Sequence, residues 1–209
     1  MNSVKIFYLL LLIIPFCGCR ASAPPPPPAE FYYLNSQTPL SSVGRVALVE
    51  LLNDSAFPKI SPDVTDALFQ ALQKKQVFGL SVISAAHPDW HSLNQKLHSE
   101  YTTAQLAEVR AALKSDAVLF GAVTGYQPYP HLSIGLRLKL IDLQDGRLLW
   151  ALEQVWDSAD KTTEYRIEKY FKQQMRSGFA PLKEELVAVS PIEFNRFVAY
   201  EVAETLQPK

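Results

Sequence analysis

His87-Pro88-Asp89-Trp90-His91 sets two imidazoles and a carboxylate within one short stretch, and His98 follows. Imidazoles and carboxylates are zinc ligands, and on a helix a four-residue spacing would aim both rings the same way. Pro88 works against this, because the residue before a proline is pushed out of the helical region. No Glu-x-x-His partner stands nearby, so these read as loop histidines, and we expect no metal and no other cofactor. Asp54-Ser55 puts a hydroxyl beside a carboxylate, but there is no Gly-x-Ser-x-Gly elbow and no evident base. Asn53-Asp54-Ser55 reads instead as turn chemistry at the end of a strand. Gly121, Gly125 and Gly135 do not form the Gly-x-Gly-x-x-Gly loop that precedes a helix and cradles phosphate. Gly121 and Gly125 are expected to permit close packing within a strand. No residue is assigned a catalytic role, and the chain is expected not to be an enzyme.

The elements that must position these residues follow from periodicity. The chain has 209 residues, 48% hydrophobic and 20% charged, enough for one domain with a sizeable core. A net charge of −1 offers no basic stripe for nucleic acid. Arg45 to Leu52 is a mostly apolar run that reads as a buried strand. Ser61-Pro62-Asp63 is a helix start, with Val64, Ala67, Leu68, Ala71 and Leu72 on one stripe and Gly79 as the stop. Leu80 to Ile83 is a second strand. Thr102 to Gln105 matches a capping box for a helix to about Lys114. Asp116 to Tyr126 is a third strand. Leu132 to Leu140 alternates as a strand with one wet face, and Asp145-Gly146 turns it into a fifth strand, Arg147 to Trp156. Thr163 to Arg176 reads as an amphipathic helix with Ile167, Phe171 and Met175 on its apolar side. Its basic residues Arg166, Lys169, Lys172 and Arg176 read as a solvated face. Ser190-Pro191-Ile192-Glu193 is a second capping box. The implied fold is α/β: one domain with helices packed on a mixed sheet, plus two C-terminal helices. In Tyr126-Gln127-Pro128-Tyr129-Pro130-His131, Tyr126 and Tyr129 are candidate partner contacts, or they fold back on their own hairpin.

The N-terminus is of another kind. Residues 6–17, IFYLLLLIIPFC, carry no charge after Lys5. As a helix they would rise about 18 Å, short of a hydrocarbon core of roughly 30 Å, so they read as a secretory signal and not a span. Two cleavage sites compete. Ala21-Ser22-Ala23 has the small-x-small pattern, but Pro24 follows it. Phe16-Cys17-Gly18-Cys19 resembles the lipobox of bacterial lipoproteins, which implies cleavage after Gly18 and acyl chains on Cys19. Phe16 departs from that pattern, which usually has an aliphatic residue there. Cys17 and Cys19 are the only cysteines, so the domain is expected to hold no disulfide and no thiolate metal site. Pro24 to Pro28 would form a stiff spacer of about 15 Å. Residue 20 is Arg and not the Asp that signals inner-membrane retention in such lipoproteins, which leans towards the periplasmic face of the outer membrane. The expected organisation is 1–18 signal, 19–43 tether, 44–157 α/β domain and 158–209 helical extension packed on it.

Taken in order, strand RVALVELLND, a helix, a strand, a second helix, SDAVLFGAVTGY and LRLKLIDLQDGRLLWA resemble a periplasmic α/β domain over residues 44–157. This domain is shared by the curli secretion lipoprotein family, the lipoprotein activators of penicillin-binding proteins, the Pel polysaccharide export lipoprotein and the amino-terminal domain of the Tol-system propeller protein. The resemblance implies a non-catalytic docking or assembly module with an envelope protein partner. It also raises two alternatives: a ring-forming component of an outer-membrane export apparatus, hence a homo-oligomer, or an activator of a cell-wall synthase. A pore is disfavoured, because no extra hairpin of roughly nine to eleven alternating residues per strand is available. An activator is disfavoured by reach, since residues 20–43 span only about 80 Å fully extended.

Overall fold

Val46, Ala47, Leu48 and Val49 are all fully buried, so this strand is apolar on both faces, as a strand in a parallel sheet must be. The computed structural model describes residues 31–98, 101–176 and 190–206. In these, β1 (Tyr32–Leu34), a 3-10 turn (Leu40–Ser42), β2 (Arg45–Val49), β3 (Leu52–Asn53), α1 (Ile60–Lys75) and β4 (Gly79–Ile83) come first. They are followed by α2 (Trp90–His98), α3 (Thr103–Leu113), β5 (Ala117–Gln127), β6 (Ser133–Asp142), β7 (Leu148–Asp157), α4 (Lys161–Arg176) and α5 (Pro191–Thr205). The seven strands form one mixed sheet in the order β1-β7-β6-β5-β2-β4, with β3 beside β5. β2 is parallel to β4 and β5, whereas β5, β6, β7 and β1 are antiparallel.

Helices cover the two faces unequally. On one face α1, α4 and α5 bury Leu68, Phe171 and Phe197 against Leu48, Leu119, Leu138 and Trp150. On the other, Leu93 and Leu97 of α2 and Leu106, Val109 and Leu113 of α3 cover Ala47, Val49, Val118 and Phe120. This second layer lies over the parallel half of the sheet.

Several local expectations are met. The Thr102 hydroxyl and the Gln105 side chain form the reciprocal capping box of α3. Gly146 turns the β6–β7 hairpin at φ 76°, a conformation that glycine adopts without steric cost. A Cβ on Gly121 would stand 2.0 Å from the Arg137 carbonyl oxygen, so only glycine admits β6 this close.

Other expectations are corrected. Ser61 does not cap α1, which begins one residue earlier with Lys59 as cap residue. The Ser61 hydroxyl donates to the Leu51 carbonyl, while the Leu51 amide donates to Thr65 Oγ1 at 3.2 Å. The Ser61 hydroxyl that the sequence suggests as a cap, together with Thr65, thus ties the helix to Leu51 between β2 and β3. Gln76, in the left-handed region at φ 54°, ends α1, and Gly79 instead opens β4. Ser190 makes no side-chain cap, although Pro191 does open α5. Gly125 has nothing within 4 Å of a built Cβ, so close packing does not explain it.

The domain is wider than residues 44–157. Tyr32 to Leu34 pair with Trp150 to Leu152, and Leu40 and Val43 are buried, so the expected tether belongs in part to the sheet. At the other end Phe194, Phe197, Val198 and Val202 are fully buried in the main core. Trp150 Nε1 donates to Thr205 Oγ1 at 3.1 Å. Helix α5 is therefore core and not an appendage.

Candidate functional site

Side chains alternate across a strand, so the face of β6, β7 and β1 opposite the main core carries Arg137, Lys139, Ala151, Glu153, Val155 and Tyr33. Among the described residues no helix lies over them. Phe31 is 68% exposed, Val155 65% and Tyr33 48%, the kind of grouped apolar exposure that marks contact sites. Arg137 and Glu153 are register partners and ion-pair at 2.7 Å, flat on this face. That pairing holds the Glu153 carboxyl below the usual carboxylate range. Lys139 is exposed beside them and has no carboxylate within ion-pair distance among the described residues. Gly135 keeps the face flat, since a Cβ there would meet Thr124 Oγ1 at 2.5 Å and Val155 Cγ2 at 3.4 Å.

Two shallow depressions mark the surface. One of about 580 Å³ lies between Phe31, Tyr33, Arg137, Lys139 and Glu153. The other, of about 480 Å³, runs from Phe31 and Val155 to Thr162, Thr163 and Arg166 at the start of α4. Arg166 is buried there and ion-pairs with the buried Glu201 of α5 at 3.4 Å. Burial pushes the Glu201 carboxyl up to about 8, against the pull of the Arg166 charge.

The residues singled out in the sequence fall elsewhere. Gly18 and Cys19 lie outside the described residues. Tyr126 and Tyr129, the candidate partner contacts, differ in setting. Tyr126 is half-buried and its ring meets Phe57 edge-on at 5.3 Å, whereas Tyr129 is 82% exposed at the tip of the β5–β6 loop. His87 precedes α2 and His91 lies within it, so the two do not share a helical face. The Asp89 amide donates to His87 Nδ1 at 3.3 Å, and the His91 ring packs edge-on against Trp90 at 4.8 Å. Ser55 is bound into its own turn: its amide and its hydroxyl both donate to Asn53 Oδ1, at 2.9 and 2.7 Å. Sequence reasoning missed Phe31, Tyr33 and Val155. Val155 carried a signal, because alternation through Glu153 puts it on the wet face of β7, where an aliphatic residue is out of place.

No protein-family profile matches the sequence, and no curated protein does. Solved structures match in part. The PelC dodecamer structure from Paraburkholderia phytofirmans matches at 15% identity and a TM-score of 0.45, over 65% of this chain and 90% of that one. Lipoprotein GNA1162 from Neisseria meningitidis matches at 16% identity and 0.41, over 65% of this chain and 99% of that one. The C-terminal domain of LpoB from Salmonella enterica matches at 18% identity and 0.37, over 54% of this chain and 82% of that one. None of these likenesses carries an argument about what this chain does.

Proposed function

We propose that this chain is a lipid-anchored, non-catalytic protein of the bacterial envelope, whose domain docks a protein partner on the bare half-face of its sheet. The reading rests on one observation: Phe31, Tyr33 and Val155 stand exposed together where the opposite face and the parallel half are covered by helices. The occupant is another envelope protein that presents apolar side chains with a carboxylate among them. Lys139 supports the carboxylate, because Arg137 already has Glu153 and Lys139 has no such partner among the described residues. In this reading Gly18 is the cleavage position, Cys19 carries the acyl chains, and the lack of a retention Asp at residue 20 leaves the protein on the periplasmic face of the outer membrane.

A photocrosslinker in place of Tyr33, used in intact cells, tests the docking. The expected adduct has the mass of this chain plus one different protein, and it disappears in the Val155→Glu variant while the melting temperature holds. An adduct of twice the chain mass means that the occupant is a second copy and overturns the partner reading. No adduct overturns the docking face altogether. Cys19→Ala tests the anchor separately: the variant should leave the membrane fraction, and the parent should carry acyl mass on its first residue.

A further inference from the structure

The topology gathers one end of the molecule. β5 runs into the loop of residues 128–132, and β6 returns from it. β7 ends at Asp157 beside that loop, where His131 Nε2 lies 3.3 Å from Asp157 Oδ2. The turn after β3 comes to the same end, as the Phe57–Tyr126 ring contact shows. β1 runs antiparallel to β7, with Tyr32 opposite Leu152 and Leu34 opposite Trp150, and the Glu153 amide reaches the Phe31 carbonyl at 3.4 Å. Followed backwards, the chain therefore leaves Phe31 heading towards the end that carries the 128–132 loop. Glu153 to Asp157 is four strand steps, about 13 Å.

We propose that the Pro128-Tyr129-Pro130 tip is a membrane contact, seated in the headgroup region of the bilayer that holds the Cys19 acyl chains. The proposal rests on the anchoring in the preceding section and adds how the domain stands on the bilayer. Eleven residues separate Cys19 from Phe31, numbered 20–30, and fully extended they reach about 36–40 Å, so the tip is within range of the surface. The tip suits that medium. Tyr129 is 82% exposed, and an amphipathic ring of this kind settles at a membrane interface. Residues 126–130, Tyr-Gln-Pro-Tyr-Pro, carry no ionisable charge at neutral pH, so seating them desolvates no ion. Asp157, beside His131, and Asp160, whose amide donates to the Asp157 carbonyl, stand at the base of the same end and limit the depth, since a carboxylate is costly to bury in lipid. The sheet then stands on end, and the bare half-face of β6, β7 and β1 looks sideways into the periplasm, open to a partner.

The test uses the full acylated protein in vesicles of phosphatidylethanolamine and phosphatidylglycerol. Tyr129→Cys carries an environment-sensitive fluorophore, and Gln144→Cys carries the same label in the hairpin at the opposite end; in mature protein the Cys19 thiol is blocked by its thioether. The expected result is a blue-shifted emission at 129, quenched several-fold more by lipid-borne nitroxide than emission at 144. Equal quenching at the two positions, with the protein floating with the vesicles, overturns the membrane contact and leaves the anchor intact. Emission at 129 that shifts only when envelope extract is added assigns the tip to a protein and overturns it too. Protein that does not float and carries no acyl mass overturns the anchor itself.

Discussion

Glu201 is a carboxyl held in the main core beside a guanidinium that cannot lose its charge. Burial raises its folded pKa from 4.5 to about 8, so the fold favours the protonated form. The sign follows from linkage: a raised pKa contributes stability that is complete below 4.5 and is lost as pH climbs through about 8. At roughly 1.4 kcal/mol per unit, the pH-dependent part is at most about 4–5 kcal/mol. Melting curves from pH 5 to pH 8.5 should show the parent losing more stability than Glu201→Gln, whose neutral amide does not titrate; parallel curves would refute the assignment. Two glycines give a second contrast. Gly121→Ala would drive a methyl into the Arg137 carbonyl and should cost about 1–3 kcal/mol or more in denaturant unfolding. Gly125→Ala meets nothing and should change stability by no more than about 0.5 kcal/mol. The Arg137–Glu153 pair, exposed on the bare face, contributes little to stability.

At the scale of the element, two stretches with the same capping-box pattern behave differently. Thr102 receives the Gln105 amide and Gln105 receives that of Thr102, so Thr102→Ala should destabilise α3 by about 1 kcal/mol. Ser190 makes no such bond, and Ser190→Ala should be close to silent. Helix α5 is held by packing: Phe197→Ala, from a fully buried ring between α4 and the sheet, should cost about 3–5 kcal/mol. Thermal and denaturant unfolding of the three variants measures this order directly. Helix α1 is joined to Leu51, between β2 and β3, through Thr65 and through Ser61, a hydroxyl that the sequence pattern assigns to a cap.

Across the whole molecule, among the described residues, the sheet is half parallel and covered on both faces, half antiparallel and bare on one. The bare half is the proposed interaction surface, and the loop end below it is the proposed membrane contact. β1 is its outer edge. A chain begun at residue 44 lacks β1 together with the buried Leu40 and Val43, which open the main core. It should melt well below a chain begun at residue 31, and equal melting temperatures would place residues 31–43 outside the cooperative unit.

The sequence alone determined β2, α1, β4, α3 and β5 to β7, the Thr102 cap and the Gly146 turn, because each rests on a period or a turn rule read within a few residues; it did not show α2, whose histidines read as a loop. It also marked Cys19 and the prolines as an address, a local pattern outside the described residues. Only the tertiary structure decided that Tyr32 to Leu34 complete the sheet, that α5 is core, and that Phe31, Tyr33, Arg137 and Val155 share one surface. Phe31 and Tyr33 lie more than a hundred positions from Arg137 and Val155, and strand order brings the two pairs together. Periodicity says which face of a strand is wet; it does not say which wet faces lie side by side, or which apolar residue on them is left without a cover.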